Sequence, residues 1–167
     1  RLGNRTFKCL GRHGPMNMRS AIMKSCNTYF YSMANRVGYD AIAPVAKDLG
    51  LGQEFPLPFQ SQRFGTVPDS AWKMKKYGKD WSRSDTLNAV IGQGYIINSP
   101  FQLAIMAARI ASGRKLEPEI LYKKRQPGPL LSYPDEHLMV VRDGMDMVVN
   151  GAGTAVRSRL DLPDVKM

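Results

Sequence analysis

A serine hydroxyl and an asparagine carboxamide stand two residues apart in Ser25-Cys26-Asn27. The hydroxyl can accept and donate a proton, and the carboxamide offers an acceptor and a donor that match a peptide amide. Such a pair suits acyl transfer on a peptide. The same residue types cap helices, so the pair also reads as a helix junction. The other candidates are weaker. Lys24 adjoins Ser25, but neighbours in a helix point about 100° apart, which keeps a Ser–Lys dyad from forming. Ser70-Ala71-Trp72-Lys73 and Ser112-Gly113-Arg114-Lys115 have Ser-x-x-Lys spacing. That chemistry needs the serine at a helix N-terminus and the lysine one turn later. Ser112 reads as a helix end, and Ser70 falls in a loop-rich stretch. His13 and His137 have no serine placed beside them by the sequence, and His137 lies on an apolar helix. Cys9 and Cys26 are too far apart for a Cys-x-x-Cys ligand pair, so neither a metal site nor a cofactor is expected. Gly92-Gln93-Gly94 lacks the lysine and spacing of a phosphate loop.

The chain has 167 residues, 43% of them hydrophobic, which is enough for a globular core. No apolar run approaches the length of a membrane span, and the first residues carry no signal-peptide core. Lys and Arg outnumber Asp and Glu by 24 to 14, a formal charge of +10. This excess favours anionic partners without naming one. The basic residues are scattered, so nucleic acid is not an expected partner. Lys73, Lys75, Lys76 and Lys79, interleaved with Trp72, Tyr77 and Trp81, give an alternative reading. They would form a basic surface by which a non-catalytic module meets cell-wall glycan or a membrane partner.

The elements that must position these groups are mostly helical. Met18 to Met23 reads as a helix, Ser25 and Asn27 interrupt it, and Tyr29 to Val37 resumes with Gly38 as its stop. Tyr39 to Leu49 follows. Periodicity fails from Gln53 to Asp85, where prolines and glycines predict extended pieces and loops. Ser99 to Ser112 has an N-cap serine, Pro100 in the first turn, Gln102 closing a capping box and Gly113 beyond its end. Its expected apolar stripe is Leu103, Met106, Ala107 and Ile110, with Ala104, Ala108 and Ala111 allowing close approach. Glu119 to Tyr122 predicts a short strand, Lys123 to Gly128 a basic turn, and Pro134 to Asn150 a final helix with Leu138, Val141, Met145 and Val148 on one face.

The order of the strings carries more than any one of them. Phe7-Lys8-Cys9, His13-Gly14, Ser25-Cys26-Asn27-x-Tyr29-Phe30-Tyr31, Leu49-Gly50-Leu51-Gly52, Asp85-Thr86-Leu87-Asn88, Ile91-Gly92-Gln93-Gly94-Tyr95, Pro100-Phe101-Gln102-Leu103-Ala104 and Gly153-Thr154-Ala155 follow one another along the chain. In this the sequence resembles the transpeptidase domain of class B penicillin-binding proteins, most closely the elongation-type penicillin-binding protein 2. The resemblance implies an α+β penicillin-binding/serine β-lactamase-like fold. Residues 1–167 would be the part of the domain between its Ser-x-x-Lys and Lys-Thr-Gly motifs, mostly α, with the central antiparallel sheet largely missing. It implies a serine-type D,D-transpeptidase that crosslinks peptidoglycan stem peptides and binds β-lactam antibiotics. Ser25 would shuttle a proton and Asn27 would orient the substrate amide, while the acylated serine and its lysine would precede Arg1. The fragment alone would then be inactive. The resemblance further implies membrane elongation-complex partners and a place at the periplasmic face of the bacterial inner membrane, held by an N-terminal helix outside this sequence. Helices deprived of their sheet are expected to self-associate.

Overall fold

A computed structural model of the chain describes residues 2, 4, 6–58, 62, 65–121 and 127–160. Its elements are α1 (Met18–Met23), α2 (Asn27–Val37), α3 (Tyr39–Asp48), α4 (Ser70–Tyr77), α5 (Arg83–Ala89), α6 (Pro100–Ser112), α7 (Asp135–Val149) and a 3-10 turn at Val156–Ser158. Extended pairing between described residues includes two isolated antiparallel bridges, Thr66 with Ile97 and Arg114 with Leu130. The mostly helical expectation holds. The chain divides into two compact units, residues 1–32 with 133–167, and residues 33–132.

In the first unit α1 packs on α7. The approach is close enough that a Cβ on Gly144 would lie 2.9 Å from the Ile22 side chain, so only glycine fits there. Arg19 on α1 donates to Asp143 on α7 at 2.7 Å. Both partners of that bridge are well exposed, so it contributes little beside the packing. The buried positions of α7 are Leu138 and Gly144, while Met145 of the expected stripe faces solvent.

The second unit contains two helices where loops were expected. Asp69 caps α4 by accepting from the Trp72 amide, and Gly78 ends it in the left-handed conformation. Ser82 and Asp85 form a capping box on α5. These helices are too short to display a period, and their stability comes from packing. Trp81 stacks on Tyr39 with ring centroids 5.3 Å apart and donates to the Thr86 hydroxyl. Tyr39, Ala43, Val67 and Ala89 form the core there.

Lys73 does not belong to a basic surface. It is buried and bonded at 2.6 Å to Asp85, with a second bond to the Asp80 carbonyl. The lysine-surface reading therefore loses one of its four charges to the interior. Ser70 does begin a helix, contrary to its placement in a loop, but its hydroxyl donates to Asp40 at 2.6 Å. Both ends of that Ser-x-x-Lys are committed to structural partners. At the second match, the Ser112 hydroxyl donates back to the Ala108 carbonyl, and Lys115 pairs with Asp48.

The capping box of α6 forms as expected, but its buried face is Gln102, Ile105, Arg109 and Ile110 rather than the stripe through Leu103, which is half exposed. Hydrogen bonding selects that face. Arg109, 2% exposed, donates to the carbonyls of Asp48 and Leu116 and lies over the Phe55 ring, and Gln102 donates to the Gln53 carbonyl. The expected strand at Glu119–Tyr122 is not formed through Leu121, where Pro118 and exposed Ile120 and Leu121 leave no ladder; Tyr122 and residues 123–126 of the basic turn lie outside the described residues.

Candidate active site

The turn carrying Ser25-Cys26-Asn27 follows from how α1 ends. Cys26 donates its amide to the Ala21 carbonyl at 2.9 Å, and Ser25 donates to Ile22 at 3.1 Å. This nested pair is the Schellman ending, in which the residue after the C-cap takes the left-handed conformation. Glycine normally fills that position, but here it is Ser25, with φ 51°, a non-glycine residue in the left-handed region. The residue after it tends to turn inward, and Cys26 is 2% exposed. Asn27 then opens α2. The small buried Cys26 thus plugs the turn into the body, which leaves the Ser25 side chain facing solvent and Asn27 half-buried beside it.

A strap from the end of α7 closes over this turn. Lys24 donates its ammonium to the Ala152 carbonyl, so it is occupied and makes no dyad with Ser25. Thr154 donates its amide to the Met23 carbonyl at 3.3 Å, and Ala155 donates to Val148 at 3.1 Å. The Thr154 Oγ1 lies 3.3 Å from the Ser25 Oγ. Sequence reasoning gave Thr154 no role. Its signals were the string Gly153-Thr154-Ala155 and the pair of glycines around Ala152 directly after a long amphipathic helix.

Under the turn, tertiary structure gathers side chains that spacing kept apart. The ligating atoms of Cys9, His13 and Cys26 all lie within 4.8 Å of one another. Cys9 Sγ is 3.5 Å from His13 Nδ1, and the Cys9 thiol points at the Ser25 carbonyl at 4.0 Å. Burial pushes the Cys9 thiol up. Hydrogen bonds from the Gly11, Asn27 and Thr28 amides and from Cys26 outweigh it and hold the thiol below its ordinary value. Two of those amides open α2, where the helix dipole also favours a thiolate. Two sulfurs and an imidazole are donors of the kind a soft divalent ion takes, three of the roughly four in a closed zinc site. His137, by contrast, is exposed on α7 beside Glu136.

The arrangement offers an exposed hydroxyl held in a strained, well-tied turn, an adjacent carboxamide, and a second hydroxyl in contact with the first. The chain matches the penicillin binding protein transpeptidase domain over residues 4–166. It is 31% identical over 161 residues to the peptidoglycan D,D-transpeptidase MrdA of Acinetobacter baumannii, covering 89% of this chain and 24% of that one. The corresponding protein of Haemophilus influenzae is 32% identical over 162 residues, covering 89% of this chain and 25% of its own. The chain thus spans about a quarter of the length of these curated relatives. Among solved structures, penicillin-binding protein PBP2 of Helicobacter pylori superposes with a TM-score of 0.88 at 30% identity, over 98% of this chain and 32% of that one. The same protein has been solved in complex with MreC, with a TM-score of 0.87. By the match along nearly its whole length, this chain belongs to the penicillin-binding protein transpeptidase domain family.

Proposed function

We propose that residues 1–167 form the Ser-x-Asn wall of a peptidoglycan D,D-transpeptidase, and that Ser25 and Asn27 act in its acyl transfer. The acylated serine, its lysine base and the Lys-Thr-Gly strand are supplied by sequence outside this stretch. That serine attacks the D-Ala–D-Ala carbonyl, an ester forms, and the C–N bond breaks. Ser25 passes a proton to the departing D-Ala amine, since a hydroxyl can take one proton as it gives another. Asn27 holds the donor peptide amide. The acceptor amine then attacks the ester and frees the serine. β-Lactams enter by the same acylation. The observation that supports this reading is the Ser25 turn, where a hydroxyl is displayed at a left-handed backbone position that costs stability for any residue bearing a Cβ.

The relatives' names support peptidoglycan as substrate, and the Helicobacter pylori complex supports a membrane elongation partner for the whole protein. A place at the periplasmic face rests on the same relatives. No helix of the described residues is long and apolar enough to cross a membrane. Fluorescent penicillin tests the reading. Residues 1–167 alone should take no label, and the complete polypeptide should label. Ser25→Ala in the latter should slow transpeptidation about 100-fold or more, the scale of lost proton transfer. Labelling of residues 1–167 alone, or full turnover by Ser25→Ala, would overturn it.

A further inference from the structure

We propose that Thr154 is a positioning residue for Ser25, aiming its hydroxyl for proton transfer. The inference rests on the proposed relay role of Ser25. An exposed serine hydroxyl has three staggered rotamers and a freely turning proton, so exposure by itself leaves it unaimed. A relay needs the oxygen in one place and its proton directed at the leaving group. Thr154 Oγ1, 3.3 Å from Ser25 Oγ, is the group that can impose this.

Thr154 is itself fixed without help from its side chain. Its amide is bonded to Met23 at the end of α1, and the next amide, Ala155, is bonded to Val148 on α7. The Lys24 ammonium holds the Ala152 carbonyl two residues upstream. Gly153 passes so near the Val148 backbone that any Cβ would collide with it, which sets the path of the strap. Threonine is β-branched and stiff about χ1, so a fixed backbone gives a fixed hydroxyl. Either oxygen can be the donor at this distance. In the role proposed, Thr154 donates to the Ser25 oxygen, and the Ser25 proton is left to point away from the strap.

The test uses the complete polypeptide that carries this sequence, with Thr154→Val, Thr154→Ser, Ser25→Ala and the double variant Ser25→Ala/Thr154→Val. Steady-state transpeptidation, penicillin acylation rate and melting temperature are measured for each. Thr154→Val should lower kcat roughly 3- to 10-fold, the scale of one net hydrogen bond, with KM unchanged. Thr154→Ser, which keeps the hydroxyl, should stay within about twofold of wild type. Adding Thr154→Val to Ser25→Ala should cost nothing further, because the group it positions is already gone. If Thr154→Val does not fold, Thr154→Ala carries the same comparison without added volume. A wild-type kcat for the valine and alanine variants, or a loss that persists in full on the Ser25→Ala background, would overturn the proposal. If Ser25→Ala is fully active, the relay reading itself has failed and this inference falls with it. If Ser25→Ala is impaired and Thr154→Val is not, only the positioning role has failed.

Discussion

With Ser25 replaced by glycine, the protein should be more stable than with Ser25 replaced by alanine. Ser25 holds φ 51° at the end of α1, where the Cβ of an L-residue crowds the following carbonyl. That conformation costs about 1–2 kcal/mol for a residue bearing Cβ. Glycine escapes the crowding but loses about 0.4–1 kcal/mol through its freer unfolded chain. The net gain for glycine over alanine is therefore about 1 kcal/mol. Both substitutions delete the hydroxyl and its contact with Thr154, so their difference isolates backbone strain. For a chain of 167 residues the gain corresponds to about 2–4 °C in melting temperature. Calorimetry and urea titration of Ser25→Gly and Ser25→Ala in parallel supply the comparison. Equal midpoints, or a less stable glycine variant, would refute the account of this turn as a strained Schellman ending. The expected result carries a functional corollary. A left-handed position held by serine rather than by unstrained glycine is one where the hydroxyl itself is used.

Arg109→Met should be the most damaging change in α6. It leaves the Asp48 and Leu116 carbonyls without their donor, at about 1–3 kcal/mol each, partly offset by removing a buried charge. A net loss of about 2–4 kcal/mol would lower the melting point by roughly 5–15 °C, and a loss below about 1 kcal/mol would contradict the assignment. Asp85 gives a pH test. Burial raises its carboxyl, but bonds from Lys73 and Ser82 prevail and hold it below the usual range. A depressed carboxylate contributes stability that is complete above its unfolded pKa of about 3.9 and is lost as pH falls through the folded value. Between about pH 5 and 2 the urea midpoint of wild type should fall more steeply than that of Asp85→Asn, and parallel curves would sink the claim. Cys9, with its thiol held low beside the start of α2, should be alkylated by iodoacetamide at neutral pH well before buried Cys26, as followed by mass spectrometry. Equal rates would contradict the geometry.

Where signals are local, the sequence is enough. The Ser99 cap with Pro100 and Gln102 marks the start of α6, Gly113 marks its end, and both work through bonds closed within a few residues. The break after Met23 is as local, closed by the Ser25 and Cys26 amides on Ile22 and Ala21, although Asn27 belongs to α2, which begins two residues earlier than Tyr29. α4 and α5 were not legible because eight and seven residues hold no full pattern, and the Tyr39–Trp81 stack and the Lys73–Asp85 pair that support them join distant positions. The same distance hid Thr154, whose hydroxyl reaches Ser25 across 129 positions of sequence, and the meeting of Cys9, His13 and Cys26. It also hid which face of α6 is buried, since carbonyls of Gln53, Asp48 and Leu116 made that choice for Gln102 and Arg109. The sequence alone thus determined which residues could do chemistry and most of the helices that bear them. The tertiary structure decided which way each side chain faces and what it touches, because a buried polar group settles where its partner is, and that partner can lie anywhere along the chain.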